Sequence, residues 1–587
     1  MRQPSIARLL TRHFLRRFLD NDLISPHVDL FENTAVACAA IVSSTLFVSV
    51  LLGGKYLFGF PPPGVVAISS LGDNFASLTF SMLAMALVAA LQWQALSFDA
   101  RDAANLGPLP LARGVLVRAK LSALGIFALG FAIALNLFPS TVFQAFVVAR
   151  MPVGLSGLVR LAAAHAVGGM LASAFGLFAV IALRELLRAV LGAIWFARVA
   201  AVVQGVLVLV LLSAILLTPA AADLLTSAWV FRGFPPPWIV PPLLFFGLEQ
   251  TLAGGTIANV GGVQVAQRMS ATNDRMLAAY RANEAFFRDC AAAAIVALAT
   301  TALTAVLLYA WNVRRMPQPV ASSRKRHHVL LTISALAAGL DSVRRAGLTF
   351  ALQALIRSAP HRLSMAAAGA LAVALSILLL ERAGLRPVLD GATPPASLLA
   401  LQTVVVTILL GGVRRAVRVP AELNANWMIQ MAWRHGERRF LSGVKRAAIV
   451  GTALPALIAL VPLHVWMISG KAAAAHFIIG VLYSVVVVEA LFCGCTKVPL
   501  ASSYEPLSHV KTLGPIVLVV FLLFVNVFAR VERVALRSDQ GVMNFAIGLT
   551  FAIIALRVLN YWRVRGHHTF KFDEPAEPAT QWLGLSG

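Results

Sequence analysis

The sequence predicts an all-α integral membrane protein of about twelve transmembrane helices, arranged as two six-helix pseudo-repeats. Three observations point there. Hydrophobic residues make up 59% of the 587 residues and charged residues only 13%, whereas an ordinary soluble domain carries about 25% charged residues. The apolar residues fall in runs long enough for a helix rising 1.5 Å per residue to cross about 30 Å of hydrocarbon. Those runs lack the period-two alternation of a barrel, leaving helices as the structure that can satisfy backbone groups in lipid.

In chain order, the expected spans of the first half are 33–53, 75–97, 121–139, 161–183, 199–218 and 289–311. Those of the second are 363–381, 397–413, 446–468, 475–496, 514–529 and 542–561. The first half is 1–312, a basic linker occupies 313–329, the second half is 330–561, and a tail occupies 562–587. With both termini on one side, most of the 49 Lys and Arg fall on that side, which the positive-inside rule makes cytoplasmic. The formal charge of +24 is then topology and contact with anionic lipid headgroups. A nucleic-acid partner is not expected, since no basic soluble face with stacking aromatics is visible.

Residues 1–32 precede the first span. Ile6, Leu9, Leu10, Phe14 and Phe18 fall at helical spacing, with Arg2, Arg8, Arg12 and Arg16 on the remainder, the pattern of a helix lying in the cytoplasmic interface. Asp20 and Asp22, and the lack of an A-x-A-like cleavage site, make this a retained segment rather than a signal peptide. Residues 330–362 offer similar amphipathic, basic material at the start of the second half. After the second span of each half comes a long charged loop, 98–120 and 414–447.

The run DARDAANLGPLPLARGVLVRAK, Asp99 to Lys120, resembles the loop after the second span in permeases of the ABC-2 type exporter group. FPPPWIVPPLLFFGLEQTLAG at 234–254, VPAELNANWMIQ at 419–430 and KVPLASSYEPL at 497–507 are similar to further segments of fused permease-like members. The resemblance implies two fused six-span permease domains served by a cytoplasmic ABC ATPase subunit, two copies expected, which holds the ATP and Mg. It makes the first loop a coupling element, with Asp99, Arg101, Asp102, Pro110, Arg113, Arg118 and Lys120 as candidates, and adds Glu422, Asn426 and Trp427 from the second. Export as the direction of transport rests on it alone.

Read physically, Gly107, Pro108 and Pro110 break the helix leaving the second span, since Pro costs about 3 kcal/mol in a helix interior. Leu111 to Lys120 can then restart as a short helix. The alternative is that these charges are ordinary positive-inside anchors, with Asp–Arg pairs worth about 0–1 kcal/mol. The phosphate-cradling pattern G-x-x-x-x-G-K-[ST] is absent from the sequence, so ATP hydrolysis is expected on a partner chain and no enzyme activity or cofactor on this one.

Pro235, Trp238 and Glu249 are candidates for an outer gate, Pro-stiffened turns with a membrane-edge Trp being the alternative. In the outer segment 219–288, the stretch 255–288 with Arg268, Arg275, Arg281 and Arg288 suggests an extra helix whose arginines meet lipid headgroups or an anionic substrate, a solvated face being the alternative. Ionisable groups inside spans are costly and usually face the bundle interior, which singles out His165 and Glu489, with Gln92 and Asn136 as weaker cases. His165 beside Gly168 and Gly169 also fits a histidine packed between close helices, and Glu489 lies near the cytoplasmic end of its span. Cys38, Cys290, Cys493 and Cys495 read as inert thiols, and Arg326, His327 and His328 lack nearby carboxylates, so no metal site is expected.

The functional expectation is the permease subunit of an ATP-binding cassette exporter in a bacterial inner membrane. Its unknown small-molecule or lipid substrate leans toward the hydrophobic or amphipathic. A gradient-driven secondary transporter and a membrane scaffold without transport are the alternatives.

Overall fold

The computed structural model describes residues 6–19, 30–59, 61, 63–93, 95–96, 112–151, 154–225, 229, 232–254, 271–314, 339, 341–384, 394–420, 431, 437–495, 497–501 and 510–564. They are helical throughout the regular elements. Ten helical segments are long and apolar enough to cross a membrane; the chain is an integral membrane protein. It divides into two compact units, Met1–Ser322 and Ser323–Gly587, a division that falls inside the basic linker.

Unit 1 begins with α1 (Ile6–Leu19), α2 (Leu30–Phe58), α3 (Pro63–Leu91) and α4 (Arg113–Phe138), the last running through a π segment (Pro139–Phe143) into α5 (Gln144–Val148). It continues with α6 (Gly154–Leu216), α7 (Thr218–Leu224), α8 (Pro242–Leu252), α9 (Ala271–Ala282) and α10 (Glu284–Arg314). Unit 2 holds α11 (Ser342–Arg357), α12 (Ala359–Ala383), α13 (Ala396–Ala416) and α14 (Glu437–Ala448). After a π segment (Ile449–Ala453) come α15 (Leu454–Met467), α16 (Gly470–Leu491), α17 (Val510–Ala535) and α18 (Asp539–Val564).

The ten membrane-length segments stand at ten of the twelve expected positions, five in each unit. Helices α2 and α17 cover the remaining two positions, with Thr45–Phe58 the apolar stretch described in α2. Several spans are longer than hydropathy suggested. The second runs Val65–Leu91 rather than 75–97, and the fourth runs Gly154–Gly192 rather than 161–183. Hydropathy stops at a charge; a helix continues where the charge is paired. Asp73 inside α3 binds Lys55 Nζ at 2.6 Å and accepts from the Tyr56 hydroxyl. Between the fourth and fifth spans the expected loop is reduced to one residue, Gly192, at φ 68 and ψ 170, a region open essentially to glycine alone.

Unit 1 is centred on α3, α6, α8 and α10. Phe75 meets the Phe246 ring edge-on at 5.7 Å, and Phe246 meets Phe287 likewise at 5.7 Å, geometries that suit the ring quadrupoles. The α8 segment, expected as part of an outer loop, is instead buried along most of its length among these helices. Gly247 makes that possible, because a Cβ there would stand 2.5 Å from Cys290 Cβ.

Each unit sets its amphipathic helix against the start of a long apolar helix. In unit 1, Leu10 and Phe14 of α1 are buried on the α4 side while Ile6 and Leu9 stay exposed, so the apolar stripe is shared between protein and surroundings. Lys120, only 2% exposed, lies with its Nζ 4.9 Å from the centre of the Phe14 ring, a cation–π contact that lets a charge sit inside. In unit 2, α11 packs on α14 through reciprocal glycines. A Cβ on Gly443 would collide with the Arg344 carbonyl and stand 2.8 Å from the Leu348 nitrogen, and one on Gly347 would collide with the Phe440 carbonyl. Small residues at such a crossing let backbones touch.

Asp341 caps α11, accepting from the Val343 and Arg344 amides at 3.0 and 3.2 Å. The Arg344 amide, helped by the Val343 amide and the Arg439 and Arg344 guanidinium groups, holds its carboxyl below the usual carboxylate range.

Two outcomes follow for unit 2. Gly443→Val should lower the thermal unfolding midpoint of the detergent-solubilised chain, at a cost of about 1–3 kcal/mol for overpacking. The depressed Asp341 carboxyl contributes stability above its unfolded value and loses it as pH falls through the folded one. Amide exchange of 342–357 should therefore quicken on acidification below the usual carboxylate range, and Asp341→Asn, which keeps a cap but cannot titrate, should remove that step.

Candidate functional site

Among the described residues, each unit holds two clusters of buried polar groups built on one long helix. In unit 1 that helix is α6. His165 is fully buried between α3 and α8, its Nε2 3.2 Å from Ser77 Oγ and its Nδ1 3.1 Å from Glu249 Oε1. The contact needs one proton between Nδ1 and Oε1, which otherwise both present lone pairs. Gly168 admits α8, with Glu249 Cβ 3.3 Å from where its Cβ would be. Glu249 Oε2 and both polar atoms of the Gln250 side chain are buried without a hydrogen-bond partner. One turn along α6 from His165, Gly169 packs on Asn136, which joins three helices: it accepts from Ser81 at 2.8 Å and donates to Ser173 at 3.3 Å.

About two turns before Gly192, Glu185 forms the second cluster. It pairs with Arg184, and Asn312 of α10 donates to its carboxylate at 2.7 Å and to its backbone carbonyl at 2.9 Å. The Arg184 guanidinium lies 5.9 Å from the Trp93 ring centre and 5.6 Å from that of Phe196.

In unit 2 the clusters stand on α16. His476 Nδ1 lies 2.6 Å from Glu532 Oε1 of α17, both side chains fully buried. Gln402 of α13 donates to the His476 carbonyl at 2.7 Å and stands 3.3 Å from Nδ1. The His464 ring of α15 meets His476 edge-on at 4.6 Å. Four buried atoms have no hydrogen-bond partner: Nε2 of both histidines, Glu532 Oε2 and Thr403 Oγ1. Near the other end of α16, Glu489 binds Lys445 Nζ at 2.5 Å and Arg557 Nε at 3.0 Å. It is buried, not solvated as its position near a span end allowed.

The sequence-derived candidates separate accordingly. His165 and Glu249, one picked as an intramembrane group and the other as a gate residue, come together. Pro235 is half-buried and Trp238 is 79% exposed, so neither joins them. Arg275, Arg281 and Arg288 are exposed, the first two on α9. Of the loop candidates, Asp99, Arg101, Asp102, Pro110, Glu422, Asn426 and Trp427 lie outside the described residues. Arg113 opens α4, which continues unbroken through Lys120 into the span; a separate short helix does not form there, because nothing after Pro110 breaks it. Arg118 is exposed and its Nε donates to the Gly114 carbonyl at 3.2 Å. Lys120 is covered by Phe14.

His464, His476, Glu532, Arg184 and Glu185 were not singled out from sequence. The two histidines lie inside expected spans and carried the same signal as His165. Glu532 and the Arg184–Glu185 pair fall just beyond spans drawn too short. Among the described residues no group of three His, Cys, Asp or Glu side chains is placed to hold a metal ion. What the arrangement offers is proton-accepting and charge-pairing groups at helix junctions. The chain matches no protein-family model, no curated protein and no solved structure.

Removing the Glu489 charge leaves Lys445, with a side chain only 13% exposed, without its counter-ion. Glu489→Gln should destabilise unit 2 by about 3 kcal/mol, the low end for breaking a buried pair. Arg557→Ala, removing a partner that is 62% exposed, should cost within about 1 kcal/mol. Thermal unfolding of both variants checks the ordering.

Proposed function

We propose that this chain is the permease subunit of an ATP-binding cassette exporter, moving an unidentified hydrophobic or amphipathic substrate with energy from a separate cytoplasmic ATPase subunit. The observation that carries the reading is the doubled docking of an amphipathic helix on the start of an apolar one, α1 on α4 and α11 on α14. Each such start lies inside a segment that the sequence marks as a long charged loop, 98–120 or 414–447. A push on either loop is delivered at once to the helix that begins there and, through Phe14 and Lys120 or the Gly347–Gly443 crossing, to the amphipathic helix beside it. The pairing of polar clusters on α6 and on α16 supports two six-span halves of common plan. Two ATPase copies, holding ATP and Mg, would serve the two loops, and a bacterial inner membrane suits the charge bias.

A gradient-driven secondary transporter is the second reading, and the buried His165–Glu249 and His476–Glu532 pairs favour it. The two separate in one experiment: affinity purification of the full chain in mild detergent, mass spectrometry of what stays bound, and an ATPase assay on the eluate. A stoichiometric P-loop subunit with vanadate-sensitive hydrolysis is the expected outcome. Asp102→Ala with Arg113→Ala should leave the chain inserted but reduce ATPase recruitment several-fold. Repeated extraction without any ATPase overturns the reading.

A further inference from the structure

The cluster formed by His476 and Glu532 has a charge problem that points to a ligand. Their 2.6 Å contact needs one proton between Nδ1 and Oε1, since a bare imidazole nitrogen and a carboxylate would both present lone pairs. With that proton alone the pair carries a net negative charge. Among the described residues the recorded ion-pair partner of Glu532 is His476. The groups nearest the pair are Gln402 of α13, uncharged, His464 of α15, and Arg530 and Arg533, which neighbour Glu532 along α17, Arg530 exposed and Arg533 half-buried with contacts of its own. Lys445 of α14 and Arg557 of α18 are committed to Glu489, and Asp539 of α18 to Lys471 of α16 at 2.8 Å, both largely exposed. An ionised group buried without compensation is strongly disfavoured, and it takes up a proton instead.

We propose that unit 2 binds and releases one proton at the His476–Glu532 pair, with His464 as the adjoining group in the proton's path. The loaded pair is neutral in either of two forms, imidazolium with carboxylate or imidazole with carboxylic acid. In both forms the second proton sits on His476 Nε2, the nitrogen that has no hydrogen-bond partner. Release breaks only that N–H bond and leaves Nδ1–H donating to the Glu532 carboxylate. The pair then carries a full negative charge between α16 and α17, and the helices must part enough to admit water. The chemistry needs no bound metal and no particular energy source, so the proposal stands apart from the ATPase partner. The first unit holds the same elements at His165 and Glu249, where Ser77 occupies Nε2.

The test uses the full chain in lipid nanodiscs and follows amide exchange of 470–491 and 510–535 from acidic to alkaline pH, corrected for the intrinsic rate. Wild type should lose protection several-fold in one step as the proton leaves, and Glu532→Gln, which keeps a hydrogen-bonding partner but no charge, should not. A flat wild-type profile, or the same step in Glu532→Gln, overturns the proposal. Should the variant not fold, nitrogen NMR of ring-labelled histidine decides on wild type, with His476→Gln used for assignment. A His476 ring that changes from doubly to singly protonated, or from Nε2–H to Nδ1–H, supports the site. A ring that stays singly protonated at Nδ1 throughout overturns it.

Discussion

A carboxylate cannot stay charged and alone among apolar helices, and that constraint organises both units. Glu185, Glu249, Glu489 and Glu532 are all buried, and each is met by a cation, an imidazole or an amide on its own or a neighbouring helix. Because lipid offers helices no hydrophobic reason to prefer one another, such pairs decide which helices stay together. Glu249 fixes the short α8 to α6; Glu532 fixes α17 to α16; Glu489 gathers α14 and α18 onto α16. Helices α6 and α16 are therefore the posts on which the rest of each unit hangs.

The class of the protein and the place of nearly every long helix were legible in composition and run length, because the cost of unpaired backbone in hydrocarbon leaves so few solutions. Span ends were not. Asp73 and Glu185 look like terminators when read singly, yet Lys55 and Asn312 neutralise or bind them from elsewhere in the chain. Pairing over such distances in sequence has no local signature. The same limit explains why His165 and Glu249 were picked for separate reasons: they stand 84 positions apart in sequence, and Glu249 sits in a segment whose prolines suggested a surface turn. His464 and His476 are a different matter, since their position inside expected spans was sufficient signal.

The amphipathic helices show the other side of this. A stripe of Ile6, Leu9, Leu10 and Phe14 reads as a membrane-surface helix, but only part of it faces away from protein. Leu10 and Phe14 are buried, and Phe14 covers Lys120, so an apparent anchor charge is a packing element. In unit 2 the job passes to glycines, which let α11 and α14 approach backbone to backbone. Two different chemistries thus hold the two helix pairs together.

The single-residue link at Gly192 bears on how the chain is made. With no loop between its arms, the first arm of α6 cannot settle in the bilayer while the second waits in water at any distance from it. The two apolar arms are therefore expected to enter the lipid together, and a side chain at Gly192 would strain the one residue that joins them, its φ being positive.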